Sequence, residues 1–317
     1  MDSRTAHYTT EVVRCYTDTG TLDGILDFAS MDADGFTLTV DDQFTQAYRI
    51  SYLALGGADL TNVYIGSVQL PTGTGQWDVT SVGFQPDVLI TAHQRYPSAA
   101  DLGIQRFSLG MATGSSAQGV ISIEGQNGVG DSQTAGYGYN GEVIACCNVA
   151  TVDMRNTFVS FLSNGFRLNN LEGDYPVYVS YICLKGGSYA VSDLTTRTDG
   201  NDIAETVGFQ PSALLFASAN RALSTQDTGT VHSRASIGAA TSASNRACAA
   251  ISDENGLADS ETAYANYDSA VYANVVDDAV AGLMDIKSIE ETGFTCVMDD
   301  ADPSACWVTY LAIGNAA

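Results

Sequence analysis

Apolar and polar residues alternate with period two through most of this chain, and the alternating runs are short. Arg106-Phe107-Ser108-Leu109-Gly110, Gly119 to Ile123, Glu142 to Cys147 and Thr157 to Leu162 each read as one strand. Turn residues separate them: Gly125 to Gly128, Asn140-Gly141 and Ser163-Asn164-Gly165. Asn164-Gly165 between two strands is a hairpin signal. Val177 to Leu184 is apolar on both faces, as a strand covered on both sides requires. No segment carries a helical period. Ala270 to Leu283 is rich in alanine, but its valines and its alignment with Glu142 to Ala150 favour strand. The pattern predicts an all-β chain of antiparallel sandwiches, jelly-roll or lectin-like, with about seven strands per unit.

The units repeat. Ile50-Ser51-Tyr52-Leu53-Ala54-Leu55 returns as Val179 to Leu184 and as Val308 to Ile313, with the tyrosines 129 residues apart. A Gly-Phe pair precedes each run: Gly35-Phe36, Gly165-Phe166 and Gly293-Phe294. Asp-Ser-x-Thr-Ala occurs at Asp2, Asp131 and Asp259. Val82-Gly83-Phe84-Gln85-Pro86 returns only once, as Val207 to Pro211, which reads as a glycine turn into a strand that proline opens. The changed spacing of that landmark, 125 residues, points to a loop-length difference between 93–103 and 220–229. Residues 58–186 and 187–317 are therefore two full modules. Residues 1–57 carry only the landmarks of a back half, an N-terminal half-module that a partner or a neighbouring module must complete.

Charge adds a second theme. The 317 residues hold 37 acidic and 13 basic side chains, a net charge of −24; 28 of the acids are Asp, and the only lysines are Lys185 and Lys287. The acids are spread along the chain. Such a surface repels nucleic acid and anionic membranes, and no run approaches the 18 apolar residues of a membrane span. The first residues lack the pattern of a signal peptide. High Asp with almost no Lys resembles haloarchaeal proteins, whose surfaces work under strong salt screening; a surface kept acidic for solubility is the alternative. Seven cysteines without a CxxC spacing read as reduced core residues, against a stray disulfide that sequence cannot assign, since Cys15 and Cys146 hold equivalent repeat positions.

Candidate chemistry is sparse. His7, His93 and His232 share no repeat position and have no identifiable nucleophile partner, so no catalytic residue is assigned and no enzyme is expected. The repeated Asp131, Ser132, Thr134 and Asp259, Ser260, Thr262 sets are candidates for a ligand or an interface, against a plain turn in which these side chains bond their own backbone. Tyr137 and Tyr264, placed in loops, are candidates to line a glycan site. Asp299, Asp300 and Asp302 are the one candidate for Ca²⁺, against a solvated acidic loop. No cofactor is expected.

The twice-used Gly-Phe-Gln-Pro landmark, the Gly/Ser/Ala-rich middle, the Gly-Phe pair and the closing Tyr52-Leu53-Ala54-Leu55-Gly56 type of strand together resemble modules in structural proteins of tailed viruses. With the acidic, lysine-poor composition, the resemblance implies a tailed virus of haloarchaea. It implies a virion surface role as a homo-oligomer: a capsid turret or decoration protein, or alternatively a tail fibre or host-glycan-binding adhesin. Capsid or tail proteins would then be partners through residues 1–57.

Overall fold

The computed structural model describes residues 5–6, 10–17, 21–94, 101–102, 104–126, 131–149, 151–223, 227–228, 232–258, 262–276 and 279–316. Every regular element among them is a β-strand, and every strand pair is antiparallel. The half-module contributes β1 (Thr5–Ala6), β2 (Val13–Tyr16), β3 (Leu22–Asp32) and β4 (Gly35–Asp42). The first module contributes β5 (Asn62–Gln69), β6 (Gly75–Val79), β7 (Val88–His93), β8 (Asp101–Leu102), β9 (Ile104–Gly114), β10 (Ala117–Gln126), β11 (Gln133–Tyr139), β12 (Ile144–Cys147), β13 (Val152–Leu162), β14 (Gly165–Gly173) and β15 (Tyr178–Lys185). The second contributes β16 (Ser188–Thr195), β17 (Ile203–Thr206), β18 (Pro211–Ser218), β19 (Asp227–Thr228), β20 (Ser233–Ser242), β21 (Asn245–Asp253), β22 (Ala263–Tyr267), β23 (Tyr272–Val276), β24 (Ala279–Glu290), β25 (Gly293–Asp300) and β26 (Trp307–Gly314).

Each full module stacks a large sheet on a small one. The large sheets run β5-β15-β7-β9-β10-β11, extended past β11 by β19 of the second module, and β16-β26-β18-β20-β21-β22, and the small ones β6-β14-β13-β12 and β17-β25-β24-β23. Strand for strand the two orders are the same. Ten strands of each module take part rather than the expected seven, because the pattern merges neighbouring short strands.

The Gly-Phe hairpin forms, but its turn is not Asn164-Gly165. Leu162 pairs with Gly165, so Ser163 and Asn164 make the turn, and Asn164 does not adopt a left-handed conformation. Gly165 is needed for a different reason: a Cβ there would lie 1.8 Å from the Val79 carbonyl oxygen of β6. Gly293 meets Glu205 of β17 in the same way, at 1.9 Å. The Gly83 and Gly208 turns do use positive φ, at 82° and 86°.

Period-two alternation places the core. Val179, Tyr181 and Cys183 point between the sheets of the first module, with Phe158, Phe166 and Leu168 from the small sheet opposite. Val308, Tyr310 and Ala312 do the same in the second module with Phe294 and Ile286. The other faces of the two large sheets meet each other. Ile121, Ile123, Met111 and Leu184 from the first module share one buried cluster with Val191, Ala217, Trp307 and Leu311 from the second. The layers therefore run small, large, large, small. All seven cysteines are free thiols and six are buried. Burial pushes Cys147, Cys183 and Cys248 up to about 12, which keeps them protonated.

One position differs chemically between the modules. In the first, the fully buried Glu142 accepts from Tyr137 Oη at 3.1 Å and from Arg155 Nε at 2.8 Å. The equivalent residues of the second module are Ala265, Ala270 and Leu283, packed in an apolar cluster. Removing the cation alone leaves a buried carboxylate uncompensated, whereas replacing the whole group with hydrocarbon need not destabilise. Arg155→Leu is expected to lower the unfolding free energy by about 2–4 kcal/mol. The triple change Tyr137→Ala, Glu142→Ala, Arg155→Leu should restore most of it. Urea titrations of both variants measure this, and a triple variant weaker than the single one would refute it.

Candidate interaction surface

The half-module folds as the back of a module. Its sheet β2-β3-β4 corresponds to β12-β13-β14 and β23-β24-β25. The three sheets share their irregularities: the register slips between Phe28 and Ser30, between Phe158 and Ser160, and between Ile286 and Ser288. A second slip recurs at Cys15/Tyr16, Cys146/Cys147 and Asn274/Val275. Such bulges re-aim a strand, so three copies with the same bulges present the same faces.

What covers those faces differs. Phe158 is 2% exposed beneath the first module's large sheet, and its counterpart Phe28 is 48% exposed. Met31 and Val40 are exposed on the same face, with Phe36 and Leu38 half-buried. Tyr52 still meets Phe36 edge to face at 4.9 Å, as Tyr181 meets Phe166 at 5.2 Å and Tyr310 meets Phe294 at 5.0 Å. The core aromatic pair of a sandwich is thus in place, but Tyr52 is 72% exposed where Tyr181 is 2%. Residues 50–55, expected as a third Tyr strand, form no ladder. The physical reason is that, among the described residues, both neighbours of this strand in a full module, β5 and β7 or β16 and β18, have no counterpart beside it. Its backbone is open along two edges, and an apolar sheet face lies beneath it.

The Asp-Ser-x-Thr-Ala motif of the first module lies at an interface within the chain. In the first module Ser132 and Thr134 are buried, and Asp131 is exposed. Ser132 Oγ donates to the Glu254 carbonyl at 2.6 Å and accepts from Leu257 N at 3.2 Å; Thr134 N donates to Asn255 Oδ1 at 3.0 Å. These partners belong to the second module, so in the first module the motif clasps one module to the next. Thr262 donates to Asp253 at 2.5 Å, while Asp259 and Ser260 lie outside the described residues.

The tyrosines are not in loops. Tyr137 is buried within β11 and bonded to Glu142, so it cannot line a glycan site; Tyr264 lies on edge strand β22 and is exposed. The period-two pattern across Gly136, Gly138 and Tyr139 hid that strand because glycines occupy alternate positions. Asp299 and Asp300 are exposed at the end of β25, but Asp302 turns into the core, where Asn274 Nδ2 donates to it at 3.0 Å and burial raises its pKa. The three do not converge, and among the described residues no group of three or more His, Cys, Asp or Glu is placed to hold a metal. His93 is buried with Nε2 2.9 Å from the Ala145 carbonyl oxygen. His232 Nδ1 accepts from Asn255 N at 3.2 Å. His7 and most of the 93–103 and 220–229 loop comparison lie outside the described residues.

No protein-family model matches this chain, and no curated protein matches it either.

Proposed function

We propose that this chain is a structural protein of a tailed-virus particle: a surface-exposed turret or decoration subunit, assembled as a homo-oligomer and anchored through its half-module. The observation that carries the reading is the uncovered sandwich face of residues 1–57, with Phe28, Met31, Val40 and Tyr52 exposed beside an unpaired strand. An apolar surface of that kind beside free backbone groups is suited to strand addition by a partner. The rest of the molecule supports the role: stacked antiparallel sheets are rigid, and the acidic surface suits a particle that lives in brine. The adhesin alternative loses half its basis with Tyr137 in the core and keeps only Tyr264.

The test is incorporation. Deleting residues 1–57 should abolish assembly into particles. Because Leu55 packs against the modules, a second variant, Phe28→Asp with Val40→Asp, separates anchoring from folding. Both positions are exposed, so the variant should melt like the parent and still fail to incorporate. Normal incorporation of either protein would sink the proposal.

A further inference from the structure

The second module packs on the first by a contact that the chain repeats. Strands β16 and β26 lay Val191, Trp307, Thr309 and Leu311 on β9 and β10 of the first module. The turn after β11 touches this contact through Asn140 Nδ2, which donates to Asp193 at 3.2 Å. The Tyr segment of the half-module sits on the second module in the corresponding way. Ile50 to Ala54 line one open pocket with Ile237, Ala239, Ala247 and Ala249 of β20 and β21, and the turn after β22 joins in through Asp268, which pairs with Arg49 at 3.3 Å. Asn140 and Asp268 hold the same repeat position. A third relation runs from the half-module to the first module. Strand β1 pairs with β8 through Ala6 and Asp101, as β11 pairs with β19 through Ala135 and Thr228. Ala6 and Ala135 are again equivalent.

The three copies therefore follow one another in a closed cycle, and Leu55, Leu184 and Ile313, the same repeat position three times, meet in one cluster. One contact of the cycle is open. The first module's β5 and β15 should lie on the half-module's counterparts of β9 and β10, which residues 1–57 do not contain. The exposures register this: Ile65 on β5 is 71% exposed where Val191 on β16 is 5%. Val63 is exposed beside it. Within the half-module, β1 and residues 50–55 correspond to β11 and β15, and among the described residues nothing there corresponds to β5, β7, β9 or β10.

We infer that this open position is the seat of a front half-module of the same repeat: a segment of five short antiparallel strands, equivalent to β5, β6, β7, β9 and β10, that pairs with residues 50–55, covers Phe28 and Phe36 on one face and receives Val63 and Ile65 on the other. The inference rests on reading the half-module as an assembly surface, and it names what assembles there. A second copy of this chain fits poorly, because its front-half strands are already paired with its own back-half strands, β7 and β10 with β15 and β11, and β18 and β21 with β26 and β22. A sheet of four or five such strands covers roughly 500 Å² per face at the usual strand spacing and rise. Two covered faces then bury roughly 2,000 Å² in total, the size of a stable interface.

Hydrogen exchange tests this without any particle, so its failure is distinct from a failure of the virion reading. Two proteins are compared in molar salt: the full chain, and the full chain carrying an additional copy of residues 58–130 fused by a flexible linker ahead of residue 1. The amides of residues 50–55 should exchange freely in the full chain and at least a hundredfold more slowly in the extended one. Ile65→Asp in the resident first module should remove most of that protection. No protection in the extended chain, whether the added strands fail to dock or fail to order, overturns the inference. So does protection that Ile65→Asp leaves intact. Concentration-dependent protection of 50–55 in the unextended chain, with a dimer by sedimentation, would assign the seat to a second copy instead.

Discussion

Trp307→Ala should lower the unfolding free energy by about 3–5 kcal/mol, the range for removing a fully buried large aromatic. Trp307 belongs to the second module, but its ring lies on the first: a Cβ at Gly138 would be 3.0 Å from it and one at Gly119 3.4 Å. Glycines on β10 and β11 make the seat, and backbone cannot collapse into the void that alanine would leave. The equivalent residue in the first module is Tyr178, half-buried on the side of the open contact. Tyr178→Ala should cost about 1 kcal/mol, since little area is lost from water there. Equilibrium unfolding in denaturant measures both. Equal losses at the two positions would mean that the first module's outer face is as well covered as the second's.

Stability should also climb steeply with salt at pH 7. Two like charges 10 Å apart in water repel by about 0.4 kcal/mol. With a net charge of −24, many such pairs accumulate to a few kcal/mol. The Debye length is about 10 Å at 0.1 M and 3 Å at 1 M, so most of that repulsion disappears between roughly 0.1 and 2 M. At about 2–4 °C per kcal/mol for domains of this size, the melting temperature should rise by roughly 10 °C. The pH dependence follows in sign. Burial raises the carboxyl pKa of Glu205 and Asp302, so over the raised interval the folded state holds protons that the unfolded chain has released. Stability is therefore greater at low pH and is lost as pH rises through those raised values. Asp78 and Asp199 are held below the ordinary range by Arg167 and Arg197, and they stay ionised throughout this window. As pH falls from 7 toward the carboxylate range at 0.1 M salt, the melting temperature should therefore rise, and the slope should shrink at 2 M. Scanning calorimetry over this grid is decisive: a flat salt profile would remove the argument for a brine-adapted surface.

Much of the architecture was legible in residue patterns because it depends on local alternation. Period two places Val179, Tyr181 and Cys183 on one face and Ile182 and Leu184 on the other, whatever they pack against. The repeat was legible for the same reason: a core position such as Tyr181 or Phe166 tolerates few substitutes, so its landmark survives in every copy. Glycine obscured two features. Gly136 and Gly138 hid β11, and Gly165 looked like part of a turn when it was keeping clear of a carbonyl on β6. In each case the constraint comes from a neighbour far along the chain, which no local pattern records.

The candidate site divides the same way. By itself the sequence determined that residues 1–57 carry the landmarks of a back half, since counting landmarks requires no coordinates. It also determined the all-β class and the acidic surface. Only the tertiary structure decided which groups that incompleteness uncovers. Phe28 and Phe158, or Ile65 and Val191, are much alike as residues, and their different exposure follows from what lies across from them. The clasp made by Ser132, the inward turn of Asp302 and the cycle with one open contact were likewise settled by tertiary structure. Burial and pairing are properties of two surfaces together, and a sequence states only one side of each until the chain is folded.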